Sequence, residues 1–204
     1  MTEKQVLKFF LDTGALLEGH FELRSKLHSD RYFQCANVLR YPRIAEKLCR
    51  EVTARAVKSG KLGKRIDGVI SPAVGGILVG HEVARALNVK CIFAEEVPDG
   101  DKKDATGKPV TKLAMRRFAI KKGERYVVAE DVVTKGGRVQ ETIDLVKAAG
   151  GKVAGVVLLV DRSAGKVKFG RIPMFALMQM TPTTWEPGAC PLCAKGSKPV
   201  HPGS

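Results

Sequence analysis

The sequence has no apolar run long enough to cross a bilayer. Its longest, Val153 to Val160, falls well short of the roughly 20 residues that a spanning helix needs. The N-terminus also lacks a charged-then-apolar leader: Met1-Thr2-Glu3-Lys4 enters a segment broken by Lys8, Asp12 and Gly14. Neither a secretory signal nor a membrane partner is expected. Cysteine is scarce, odd in number and scattered (Cys35, Cys49, Cys91, Cys190, Cys193), which argues against a disulfide framework and suits a reducing cytoplasm. There is no internal repeat. Acidic residues are in deficit, 21 against 35 basic ones, giving a net charge of +14. That excess implies a polyanion as partner: nucleic acid, anionic lipid or a phosphorylated small molecule. Half of it lies in residues 102–125, where nine basic side chains face only Asp104 and Glu124.

At 204 residues, 44% hydrophobic and 27% charged, the chain reads as one globular domain with a proper core. Residues 1–40 read as a small hood. It comprises a helix carrying Val6, Leu7, Phe10 and Leu11, then strands at 21–23 and 32–34 around a polar turn from Arg24 to Arg31. A helix is predicted from Pro42 through Ile44, Leu48, Val52 and Ala56. From Ile66 to about 180 the pattern alternates strand and helix: strands at 66–71, 89–94, 125–129 and 153–160, helices at 77–87 and 139–149. Apolar strands separated by helices predict an α/β fold with a mainly parallel central sheet flanked by helices. Residues 181–204, rich in proline, read as a surface tail.

The segment with chemical content is Tyr126-Val127-Val128-Ala129-Glu130-Asp131-Val132-Val133-Thr134-Lys135-Gly136-Gly137-Arg138. An apolar strand runs into two acids, and a glycine pair then opens a helix. Backbone amides turned by glycines beside a helix N-terminus suit a phosphate monoester. The acids would repel phosphate but suit ribose hydroxyls or magnesium. A sugar phosphate lying along the loop satisfies both halves.

This segment resembles the phosphoribosyl-pyrophosphate fingerprint of the type I phosphoribosyltransferases. Gly14-Ala15-Leu16, Gly19-His20-Phe21, Leu23-Arg24-Ser25 and His28-Ser29-Asp30-Arg31-Tyr32, with Val160-Asp161-Arg162 and the Cys190-Pro191-Leu192-Cys193 tail, resemble the orotate branch of that family. The resemblance implies transfer of a phosphoribosyl group from 5-phosphoribosyl 1-diphosphate (PRPP), chelated by Mg2+, to orotate. Carried over by position, it puts Thr134 to Arg138 around the 5-phosphate and Glu130 and Asp131 on the ribose, with Val132 and Val133 also in the PRPP-binding segment. Arg24 would lie beside the substrate. Thr134, Arg162, Phe33 and Gln34 would receive orotate. Residues 95–112 correspond to a mobile catalytic loop, with Asp131, Lys102 and Lys103 as catalytic candidates and Lys108 and Lys112 as alternatives. It also implies a homodimer, and no nucleic-acid partner.

The chain departs from the family pattern in three places. Lys135 and Arg138 replace hydroxyl residues of the phosphate loop. Val74-Gly75 stands where an aromatic-lysine pair is common, and Glu95-Glu96 where an Arg-Lys pair opens the mobile loop. Two alternatives follow: a PRPP-binding regulator of nucleic acid, or a purine phosphoribosyltransferase. Separately, Cys190-x-x-Cys193 with His201 offers too few ligands for zinc by itself, and a surface turn with two reduced thiols is the simpler expectation.

Overall fold

The computed structural model describes residues 1–23, 25–104 and 106–202. The hood opens with α1 (Glu3–Asp12), started by a capping box between Thr2 and Gln5. A hairpin of β1 (Leu16–Glu22) and β2 (His28–Phe33) follows. Both strands are longer than expected, the first ending at Glu22 and the second starting at His28. The polar string His28-Ser29-Asp30-Arg31 is strand, with His28 and Ser29 buried. Polar residues facing a covered sheet surface hid it from a hydrophobic pattern.

A short α2 (Ala36–Leu39) leads to α3 (Pro42–Lys58). The α/β core then runs β3 (Gly68–Pro72), α4 (Gly76–Leu87), β4 (Lys90–Lys103), β5 (Pro109–Ala114), β6 (Arg125–Val133), α5 (Gly137–Ala148), β7 (Lys152–Asp161) and β8 (Met174–Gln179). The six strands lie in the order β5-β4-β3-β6-β7-β8, parallel throughout except for the antiparallel β4–β5 pair. Residues 95–112 are therefore mostly a β-ribbon rather than an irregular loop. β6 runs on through both acids, so the expected loop from Asp131 to Gly137 contracts to three residues.

Pleating divides the core between two faces. Val69, Val127 and Val157 pack with α1, α3 and α4 on one side; Ile70, Val128 and Leu158 pack with Val139, Ile143 and Val146 of α5 on the other. The tail returns to the hood: β9 (Thr184–Trp185) pairs with β2, Trp185 opposite His28, and Val200 bridges Phe21. No helix among the described residues is long and apolar enough to cross a membrane.

Leu158 is wholly buried against the α5 face. Leu158→Ala should lower the unfolding free energy by about 2–5 kcal/mol, seen as a lower urea midpoint with an unchanged slope. A loss under about 1 kcal/mol would show that this face is not close-packed.

Candidate active site

β4 and β6 flank β3 on opposite sides, so the loops leaving β3 and β6 diverge and open a crevice at the carboxyl edge of the sheet. Parallel α/β sheets take their ligands at this switch point. Both acids end up there. Glu130 is 8% exposed and Asp131 half-buried. The loop after β3 closes on them through residues without side chains: a β-carbon on Gly75 would stand 3.3 Å from Asp131 Oδ2, and one on Gly76 3.0 Å from Glu130 Oε1. The Asp131 amide donates to Glu130 Oε1 at 3.0 Å. Burial, reinforced by the adjacent Asp131 charge, pushes the Glu130 carboxyl well above its ordinary range; burial also pushes Asp131 up. A ligand bringing hydroxyl donors or a cation would stabilise such a pair.

After Val132 and Val133 the chain turns over Thr134, Lys135 and Gly136. Gly136 has φ +79°, and a β-carbon there would meet Val167 Cγ1 at 2.8 Å and the Phe169 ring at 3.2 Å, which reserves the position for glycine. No side chain caps α5, so the first-turn amides of Gly137, Arg138 and Val139 lack helical partners. They lie in the wall of a cavity of about 330 Å³ lined by residues 130–139 and Glu141. Uncapped amides at the positive end of a three-turn helix form an anion cradle. The Arg138 guanidinium is committed elsewhere, to Glu96 (2.8 Å), Thr111 Oγ1 (2.8 Å) and Glu141 (2.9 Å). It ties the ribbon stem to the loop.

A second cavity, about 460 Å³, shares Thr134 with the first and is lined by Tyr32, Phe33, Gln34, Arg162, His201 and Pro202 among others. Buried Asp161 shapes the turn after β7 by accepting from Ser163 N (2.8 Å) and Ser163 Oγ (2.6 Å). The Arg162 amide donates to Val133 O at 2.8 Å. The guanidinium carbon stands 5.3 Å from the Phe33 ring centroid, and the buried Nε has no partner among the described residues. Burial draws the Arg162 value down from its usual range. A planar carboxylate would satisfy the orphaned donor and compensate the buried charge.

Residues 130–138 thus share one cavity, and Thr134, Arg162, Phe33 and Gln34 share the other. Both backbone groups of Gln34 are engaged: its amide donates to Ala15 O, and its carbonyl accepts from Asn37 N. Lys102 and Lys103 line neither cavity. Lys102 pairs with Asp99 at 2.7 Å and Lys112 with the same carboxylate at 2.8 Å, pulling Asp99 down to about 2. Arg24 lies outside the described residues. Sequence reasoning missed Asp161, although it stands inside the quoted Val160-Asp161-Arg162, because its role is to shape a turn. It also missed His201 and Pro202, which reach the cavity only because the tail folds back.

Residues 37–170 match the model of the phosphoribosyl transferase domain family. The chain is 48% identical to the orotate phosphoribosyltransferase of Heliobacterium modesticaldum over 204 residues, covering all of this chain and 99% of that protein. It is 46% identical to that of Carboxydothermus hydrogenoformans, over 97% of this chain and 95% of that one. The crystal structure of orotate phosphoribosyltransferase from Aeropyrum pernix superposes with a TM-score of 0.62 at 23% identity, covering 86% and 93% of the two chains. That of adenine phosphoribosyltransferase from Thermoanaerobacter pseudethanolicus gives 0.63 at 19%, covering 88% and 100%. At these identities the two structures speak for the fold alone.

Folded Glu130 holds its proton above the ordinary 4.5. Between 4.5 and the raised value the folded state binds more protons than the unfolded one, so stability falls as pH rises through that window, then levels off. Glu130→Gln removes this slope. Without ligand, its melting temperature should exceed that of the parent by about 2–6 °C at pH 7 and converge with it near pH 4. Melts that run parallel from pH 4 to 8 would refute the burial cost.

Proposed function

We infer that this chain, which belongs to the orotate phosphoribosyltransferase family within the phosphoribosyl transferase domain class, transfers a phosphoribosyl group from PRPP to orotate. The products are orotidine 5′-phosphate and pyrophosphate, a step of pyrimidine synthesis. The observation that carries the reading is the junction at Thr134: an anion cradle and a cavity holding a buried, under-partnered arginine meet at one residue. A ribose spanning the junction would put its monoester on the α5 amides and its anomeric carbon towards Arg162.

In this reading the first-turn amides of α5 grip the 5-phosphate, and Glu130 and Asp131 accept hydrogen bonds from the ribose hydroxyls. The orotate carboxylate pairs with Arg162, whose guanidinium is already oriented over Phe33. A ring nitrogen of orotate, its proton given up to solvent, then attacks the anomeric carbon as the bond to pyrophosphate breaks and pyrophosphate leaves with the bonding pair. Positive charge develops on the ribose, and an ionised carboxylate beside it stabilises that charge. Two adjacent carboxylate side chains are hard oxygen donors, a set that fits magnesium, so Glu130 and Asp131 would hold the Mg2+–PRPP chelate. Bound there, magnesium would offset charge on the pyrophosphate leaving group.

Lys102 and Lys103 remain the proposed lysines for the pyrophosphate. Because they line neither of these two cavities, they suit a homodimer in which each ribbon serves the neighbouring copy's site. A cytoplasmic setting belongs to the same reading and rests on the few scattered cysteines.

Purified chain supplied with magnesium and PRPP should bleach the ultraviolet absorbance of orotate and leave adenine, guanine and hypoxanthine untouched. Consumption of a purine instead, or tight nucleic-acid binding without turnover, would overturn the assignment.

If Asp131 acts on the developing charge, Asp131→Asn should reduce kcat by about 10²-fold while changing the KM for orotate by less than about threefold. Equal changes in both would place Asp131 in ground-state binding instead.

A further inference from the structure

The expected surface turn at Cys190 and Cys193 is not what the structure holds. Short helix α6 (Pro191–Ala194) lies against the hood hairpin, and Cys190 is 3% exposed. His20 on β1 and His28 on β2 face it, 7% and 5% exposed. His201 is not part of the group; its Nδ1 donates to Glu22 O.

Four potential ligand atoms, one from each of these side chains, lie within 4.8 Å of one another. His20 Nε2 is 3.0 Å from His28 Nδ1, 3.4 Å from Cys190 Sγ and 3.8 Å from Cys193 Sγ; Cys193 Sγ is 3.3 Å from His28 Nδ1. A tetrahedron with metal–nitrogen bonds of about 2.0–2.1 Å and metal–sulfur bonds of about 2.3 Å has edges of about 3.3–3.8 Å. The ring beyond the ligand atom is also fixed. His20 Nδ1 lies 3.1 Å from Ser197 O, which can only accept, so the ring proton sits on Nδ1 and the Nε2 lone pair points at the group.

We propose that His20, His28, Cys190 and Cys193 bind one zinc ion, which clips the C-terminal tail to the hood. Two imidazoles and two thiolates suit zinc better than a hard cation. Zn2+ displaces one proton from each thiol, so the two thiolate charges cancel that of the ion and the buried site is neutral overall. All four positions are filled by protein, as in a structural rather than a catalytic site. The clip acts on the base cavity. Past it, the Val200 amide donates to His20 O and its carbonyl accepts from Glu22 N, which brings His201 and Pro202 into the lining of the cavity that Arg162 also lines.

The test is metal analysis of the full chain, purified without a histidine tag from zinc-supplemented culture. About one zinc per chain is expected, lost in Cys193→Ser and in His28→Ala. Replacement by Co2+ should give visible bands of a tetrahedral ion with thiolate charge transfer in the near ultraviolet, a readout on the unaltered chain that holds even if the variants fail to fold. Removing the ion with a chelator should lower the melting temperature by about 10 °C. Less than about 0.1 zinc per chain together with no cobalt bands, a Cys190–Cys193 disulfide in the intact mass, or full zinc retention in the variants would each overturn the proposal. None of these readouts depends on turnover of orotate, so the site and the enzyme assignment stand or fall separately.

Discussion

Two adjacent carboxyl groups, Glu130 buried and Asp131 half-buried, at the end of β6 set the terms for the whole site. The ladder with β7 fixes Glu130 opposite Leu158 and Val132 opposite Val160, so the acids cannot retreat into a solvated loop. Gly75 and Gly76 let the β3 loop close over them at contact distance. The result is a stretch of strand whose ionised form is disfavoured until a ligand supplies hydroxyls or a cation. Ligand-free stability is lower in exchange for an acceptor pair already oriented, the trade-off that active sites commonly show.

The net charge of +14 finds its place on the same picture. The basic ribbon of β4 and β5 is exposed, and its lysines pair with Asp99 on the surface, where ion pairs contribute little to stability. Their value lies in the field they generate. A donor carrying a monoester and a diphosphate approaches a face dense in ammonium groups, which raises its local concentration. Arg138 links that ribbon to the phosphate loop through Glu96 and Thr111. Arg138, one of the two basic residues that depart from the family pattern, is thus a brace between ribbon and loop, not a free anion ligand.

How much was legible depended on whether a feature was local. The acids, the glycine pair and the helix after them are contiguous, and the apolar runs at Val69, Val127 and Val157 announce a sheet covered on both faces. The resemblance of Val160-Asp161-Arg162 singled out Arg162, which lines the second cavity. What stayed hidden was set by partners far along the chain. His28 and Ser29 look like a turn until β9 covers them, and β8 went unread because its half-buried pattern (Met174, Phe175 and Ala176 are all partly exposed) lacks the dense β-branched run of β7. The cysteine pair looked ligand-poor because its two histidines lie about 170 positions earlier, a separation that no spacing rule spans.

That last separation bears on how the base cavity is built. One wall, Thr134 and Arg162, stands on the loops that leave β6 and β7 and is fixed by Val133 O and Asp161. The opposite wall comes from the hood and from the last described residues of the tail, neither of which has a deep core of its own. Closing a loop between chain ends costs entropy that grows only slowly with length. Even so, two backbone bonds at Val200 and a two-residue strand at Thr184–Trp185 are slender ties for a surface that, in the proposed function, would hold a planar base against Arg162. A four-ligand cluster with three buried members stands at the point where those ties converge. With zinc bound as proposed, it would make the hood and tail one rigid wall, and specificity for the base would then rest on an element outside the α/β core.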